Sequence, residues 1–216
     1  MKRIRTAVVG CGAISDIYLK NLKNSFSVIE LAGCCDLDIA RRDAAAEKYE
    51  IKAMTMEEIL ADKSIELVVN LTNPKAHFAV IKQLLEGGKN VYTEKVLSIE
   101  LAEAEELVRI ANERHLYLGA APDTFLGCAI QTARLAVERG MIGQVTSCVA
   151  QNGRDYNMMG QLVPFIPQRG GGIGFDVGIY YITALISILG PVKEVNGFLK
   201  YPQEKRVYDQ PASPRF

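Results

Sequence analysis

The chain has 216 residues, 49% of them hydrophobic and 23% charged, which supplies a real core and an ordinary polar surface. Lys+Arg and Asp+Glu each number 25, so the formal net charge is zero, without the basic excess of a nucleic-acid or membrane-surface binder. No apolar run approaches the ~20 residues that span a bilayer, and Gly10-Cys11-Gly12 interrupts the first run too early for a signal peptide, so the expected compartment is the cytoplasm.

In chain order, residues 5–10 read as a strand that runs straight into a glycine turn, and 14–24 as a helix. Residues 28–35 form a second strand ending at Asp36, 39–49 a helix, and 65–71 a strand centred on Val68 and Val69. A helix over 76–86 stops at Gly87-Gly88, a left-handed terminator. A strand over 90–93 follows, then a helix capped by Ser98 with Ala104, Leu107, Val108 and Ala111 as its apolar stripe, then a strand over 116–120. Near-continuous apolar strands separated by helices predict a parallel sheet covered on both faces, with right-handed crossovers: a doubly wound α/β domain.

The pattern changes after Pro122. A helix over 129–139 and a strand over 144–151 precede an irregular stretch, 153–169. Gly170-Gly171-Gly172 then leads into an apolar helix over 175–189 and a strand over 192–201. The predicted organisation is a dinucleotide-binding domain over 1–122 and the opening of an α+β substrate domain over 123–216, built on an open, mostly antiparallel sheet. Its unpaired edge is expected to recruit a second copy of the chain, if it does not simply mark a fragment.

The five cysteines (Cys11, Cys34, Cys35, Cys128 and Cys148) show neither a CxxC pair nor a histidine at metal spacing. They read as reduced thiols, mostly within apolar runs, and no metal site is expected.

Gly10-Cys11-Gly12-Ala13-Ile14-Ser15 is a G-x-G-x-x-G fingerprint with serine in the third place. Gly10 makes the strand-to-helix turn, and Gly12 lets a diphosphate approach the backbone. The helix start at Ala13 and Ile14 offers N–H groups to its charge, and Ser15 is small enough for helix–strand packing. The context strengthens a motif that alone is weak, because Asp36 closes the second strand 26 positions after Gly10. A carboxylate there accepts hydrogen bonds from the adenosine ribose and repels a 2′-phosphate, so NAD is expected over NADP. Arg41 and Arg42, close behind, flank the adenine or accommodate a phosphate, and a strand-end turn residue or helix cap is the competing reading of Asp36.

Four further segments, taken with the fingerprint, resemble the glucose–fructose oxidoreductase / inositol dehydrogenase / MocA family. They are Thr72-Asn73-Pro74-Lys75-Ala76-His77, Gly88-Lys89-Asn90-Val91-Tyr92-Thr93-Glu94-Lys95, Ala121-Pro122-Asp123-Thr124-Phe125-Leu126-Gly127, and residues 170–181 around Asp176-Val177-Gly178-Ile179-Tyr180. The resemblance implies an NAD(P)-dependent oxidoreductase acting on a sugar, inositol or related polyol. It places Thr72, Asn73, Pro74 and Glu94 beside the cofactor; His77, in the first turn of the helix after Asn73-Pro74, faces the crevice and borders the cofactor or is a helix-start histidine in contact with solvent. Lys95 becomes the catalytic lysine near the nicotinamide, with Asp176 and Tyr180 supporting it.

Alcohol oxidation needs a group within hydrogen-bond reach to take the hydroxyl proton, which suits Lys95. Residues i and i+4 of a helix share a face, so Asp176 and Tyr180 can address one ligand. The sequence departs from the family in two places: Val96 stands where the family has proline after the lysine, and Tyr180 where it often has histidine. An NAD-dependent glycosidase and a non-catalytic nucleotide-binding protein are the alternative readings.

Overall fold

The computed structural model of the protein describes residues 2–153, 160, 163 and 165–198. The chain divides between Ala121 and Pro122 into two compact units.

The first unit runs β1 (Ile4–Val9), α1 (Ser15–Asn24), β2 (Ile29–Cys35), α2 (Ile39–Tyr49), β3 (Lys52–Ala53), α3 (Met56–Ala61) and β4 (Leu67–Asn70). It continues with α4 (Pro74–Glu86), β5 (Asn90–Thr93), α5 (Leu101–Glu113) and β6 (Leu118–Ala120). All strand pairs are parallel, in the order β3-β2-β1-β4-β5-β6. This is a doubly wound sheet whose winding reverses between β1 and β4.

Successive strand residues point to opposite faces, and both faces are covered. Ala7, Val9, Cys35 and Val68 pack with Ile81, Leu84, Leu85 and Leu107 on one side. Val8, Cys34 and Val69 pack with Leu19, Ala46 and Tyr49 on the other. Burial on both sides explains why the strands read as unbroken apolar runs. The register levels the strand ends: Val9 lies opposite Cys35 and Asn70, Asn70 opposite Thr93, and Thr93 opposite Ala120. The residues that follow, Gly10, Asp36, Leu71 and Glu94, therefore line one carboxyl edge.

Local chemistry fixes the helix starts. Asp38 caps α2 by accepting from the N–H groups of Ala40 and Arg41, and Thr55 with Glu58 forms a capping box on α3. Asn73 caps α4, with Pro74 at the first helical position. At the opposite end of the sheet Lys89 is buried and its Nζ donates to the carbonyls of Asp62 and Ile65, at 2.6 and 3.0 Å. Burial pushes its ammonium below the usual lysine range.

The structure corrects several expectations. β3 and α3 had no counterpart in the sequence reading, because a two-residue strand and a six-residue helix are too short to show a period. The N-cap of α5 is Glu100, not Ser98. Ser98 sits two residues upstream, where its Oγ accepts from Glu100 N at 3.3 Å and donates to Glu103. Val108 is exposed, and the buried stripe of α5 is Leu107, Ile110 and Ala111.

The second unit contains a 3₁₀ turn (Thr124–Leu126), α6 (Cys128–Glu138), a π-helical turn (Gly174–Gly178) and α7 (Ile179–Leu189), with α6 and α7 packed together. The turn and α7 replace the single α-helix expected over 175–189. Among the described residues this unit has no strand. Residues 144–151 and 192–198, expected as strands, form none among the described residues, and 199–201 lie outside them. Val149, Val195 and Phe198 are almost fully exposed. All five cysteines are free; Cys128 and Cys148 are exposed, unlike Cys11, Cys34 and Cys35. Among the described residues no helix is long and apolar enough to cross a membrane.

Candidate functional site

The turn after β1 needs glycine twice over at Gly10. Its φ is +99°, and an added Cβ would lie 2.7 Å from the carbonyl carbon of Leu71. Gly12 is different: a Cβ there would meet nothing within 4 Å, so the backbone is open to a neighbour. Ser15 closes the loop, with its N–H and its Oγ both donating to Gly12 O, at 3.0 and 2.6 Å. Ile14 is the N-cap of α1 and provides no side-chain cap, in contrast to α2, α3 and α4. Ala13 and Ile14 are exposed. An open glycine beside an uncapped helix start fits a diphosphate, which would supply the missing acceptors.

Asp36 is fastened to this turn. Its Oδ2 accepts the Cys11 N–H at 2.6 Å and its Oδ1 accepts the Asp38 N–H at 2.8 Å. A carboxylate has about four acceptor positions, so capacity remains for ribose hydroxyls. Leu37, immediately after it, is fully exposed. Arg41 Nε pairs with Asp38 at 3.2 Å in the first turn of α2. Beneath the loop, the Cys34 thiol bonded to it and burial both push the Cys11 thiol well up, so it stays protonated at neutral pH.

The tips of β4 and β5 form a second polar cluster. Buried Asn70 donates through Nδ2 to Thr93 Oγ1 at 3.0 Å, and its Oδ1 accepts from Thr72 N at 3.2 Å and Oγ1 at 2.8 Å. Asn73 and Pro74 start α4, as described. His77, expected near the cofactor, is fully buried. Its Nδ1 lies 2.5 Å from Val96 O and its Nε2 2.9 Å from Thr72 O. Both ring nitrogens are engaged by the protein, and the histidine ties the loop after β4 to the loop after β5.

Glu94 and Lys95 are half-buried at the tip of β5. Glu94 N donates to Asn70 O at 2.9 Å, and Glu94 Oε2 accepts the Lys95 N–H at 3.0 Å. The Lys95–Val96 peptide is cis although Val96 replaces the family's proline. The other Glu94 oxygen, Oε1, accepts the hydroxyl of Tyr18 at 2.6 Å. Sequence reasoning missed Tyr18. It is one aromatic on an amphipathic helix, 76 residues from its partner, and nothing in its neighbours marks it.

Asp176 and Tyr180 belong to the second unit and are described with it. The glycine run before them has a steric cause at Gly171, where a Cβ would sit 2.3 Å from Ile166 O. Asp176 lies in the π turn and Tyr180 at the start of α7, both half-buried. Of the irregular stretch 153–169, residues 154–159, 161, 162 and 164 lie outside the described residues.

Residues 4–121 match the model of an oxidoreductase family with an NAD-binding Rossmann fold, and residues 130–213 match that of the GFO/IDH/MocA C-terminal domain. The chain belongs to the GFO/IDH/MocA family of oxidoreductases. Among its relatives is an uncharacterized oxidoreductase of Schizosaccharomyces pombe, 30% identical over 93% of this chain and 55% of the other. An inositol 2-dehydrogenase of Salmonella typhimurium is 30% identical over 49% of this chain and 32% of that one. The WlbA dehydrogenase of Bordetella pertussis, solved with NADH and UDP-GlcNAcA, shares the fold, with a TM-score of 0.77 over 88% of this chain and 56% of the other at 19% identity. This GFO/IDH/MocA chain thus spans about half the length of the curated relatives it matches over most of its own.

Proposed function

We propose that this GFO/IDH/MocA chain is an NAD-dependent dehydrogenase acting on a secondary hydroxyl of a sugar, inositol or related polyol. The observation that carries the cofactor choice is the Asp36 carboxylate, fixed 2.6 Å from the Cys11 N–H. A negative charge held rigidly against the glycine turn accepts ribose hydroxyls and repels a 2′-phosphate. Gly10 and Gly12 bring the backbone to the diphosphate, and the exposed Ala13–Ile14 end of α1 faces its charge. Leu37 and Arg41 flank the adenosine. Thr72 and Glu94, on the far side of the winding reversal, flank the other half.

Bound nicotinamide supplies the hydride-accepting ring. The residues of the chain do the rest. Lys95 takes the proton of the substrate hydroxyl through Nζ as the C–H bond is broken. Glu94 fixes its backbone through the 3.0 Å bond to Lys95 N. Asp176 and Tyr180 orient the substrate hydroxyls, with Tyr180 donating from its phenol. The sugar and polyol chemistry of the named relatives supports this substrate class.

Incubation of the full chain with NAD and a panel of inositols, sugars and sugar acids tests the proposal. It predicts accumulation of NADH, abolished in Lys95→Met. Cleavage of glycosides without net NADH would assign the NAD-dependent glycosidase reaction instead, and saturable NAD binding with no turnover of any kind would leave only nucleotide binding.

A further inference from the structure

We infer that Tyr18 is a positioning residue for the nicotinamide half of the dinucleotide site, acting through Glu94. The inference rests on the dinucleotide reading above. If the diphosphate lies at Gly12 and the adenosine ribose at Asp36, the rest of the molecule extends the other way along the carboxyl edge. Strands lie about 4.8 Å apart, so the tip of β5 is about 10 Å from the tip of β1. That is the reach of a nicotinamide ribonucleoside from its phosphate, and Glu94 stands there.

Tyr18 is the fourth residue of α1, the helix that starts at the diphosphate loop, whereas Glu94 follows β5 beyond the winding reversal. The 2.6 Å bond between them joins the two halves of the site across that point. It also settles which carboxylate oxygen does what. With Oε1 taken by the phenol, Oε2 turns to the Lys95 N–H, as the 3.0 Å contact records. Without the phenol Oε1 loses its partner, and of these two bonds only that from the Lys95 N–H still holds the carboxylate. Each bond to an ionised group of this kind carries weight, and the half-buried setting limits competition from water.

The test compares NADH with ADP-ribose, which lacks the nicotinamide. Titrations of the full chain follow nicotinamide fluorescence for NADH and heat for ADP-ribose. Tyr18→Phe keeps the ring in place and is expected to weaken NADH about fivefold while leaving ADP-ribose within about twofold. Glu94→Gln is expected to shift the same ratio, and the double variant no further than the larger single effect. Because the readout is a ratio within one protein, a general loss of stability weakens both ligands together and does not imitate it. An unchanged ratio in Tyr18→Phe, equal weakening of both ligands, or additive effects in the double variant would overturn the inference. If Tyr18→Phe fails to fold, an unchanged ratio in Glu94→Gln overturns it. Wild-type protein that binds neither ligand overturns the dinucleotide reading itself, an outcome distinct from all of these.

Discussion

The backbone N–H of Cys11 and the Oδ2 of Asp36 stand 2.6 Å apart, joining the glycine turn after β1 to the end of β2. The bond holds the carboxylate at the lip of the sheet before any ligand arrives. Two strands away, the pair Tyr18–Glu94 does the corresponding work for the tip of β5. Both depend on the level register of the strand ends, which puts residues distant in sequence side by side.

Replacing Asp36 removes the charge that discriminates between nucleotides. Asp36→Ala is expected to weaken NAD about tenfold and to move the NAD-to-NADP affinity ratio toward NADP. Titration of both nucleotides checks it; an unaltered ratio would remove Asp36 from the site.

Gly10 tolerates no side chain. Gly10→Ala combines a φ of +99° with a backbone approach of 2.7 Å, and is expected to cost at least about 2 kcal/mol of stability. Urea unfolding followed by circular dichroism measures it. Gly12→Ala, where a Cβ meets nothing, is expected to leave stability nearly unchanged and to weaken nucleotide binding.

His77→Leu removes the buried ring N–H that one tautomer offers to the carbonyl of Thr72 or of Val96 and is expected to cost about 1–3 kcal/mol. His77→Asn, which keeps a side-chain N–H donor, is expected to recover part of the loss. Equal unfolding midpoints for wild type and His77→Leu would show that the clamp contributes nothing.

Acid is expected to loosen the fold. Hydrogen bonds from Lys48 and Tyr49 hold the Asp16 carboxyl below its ordinary 3.8, and the Lys23 partner holds Glu50 below 4.5. Glu58, bonded to Thr55 N–H and Lys52, and Asp62, bonded to Ser64, are lowered too. Groups depressed in the fold contribute stability above their ordinary values and lose it as pH falls through the folded ones. The urea midpoint is therefore expected to hold from pH 7 to about 5 and to drop below about 4. A midpoint that is flat down to pH 3 would contradict these pairings.

Much of the first unit was legible because its physics is local. Apolar runs buried on two faces and glycines at +φ such as Gly10 and Gly88 leave marks within a few residues. The fingerprint and Asp36 could be read together for the same reason, since a βαβ unit fixes their spacing. What escaped depends on distance in sequence. Tyr18 meets Glu94 only through the fold, and the burial of His77 depends on the loop at Val96. The strands expected at 144–151 and 192–198 are not shown among the described residues: an apolar pattern states a preference, and a ladder also requires a partner.

Calorimetric titration of the full, demonstrably folded chain with NAD tests the central claim most directly. Saturable heat with one NAD per chain, and weaker binding of NADP, is the predicted result. Absence of saturable binding by either nucleotide would contradict it.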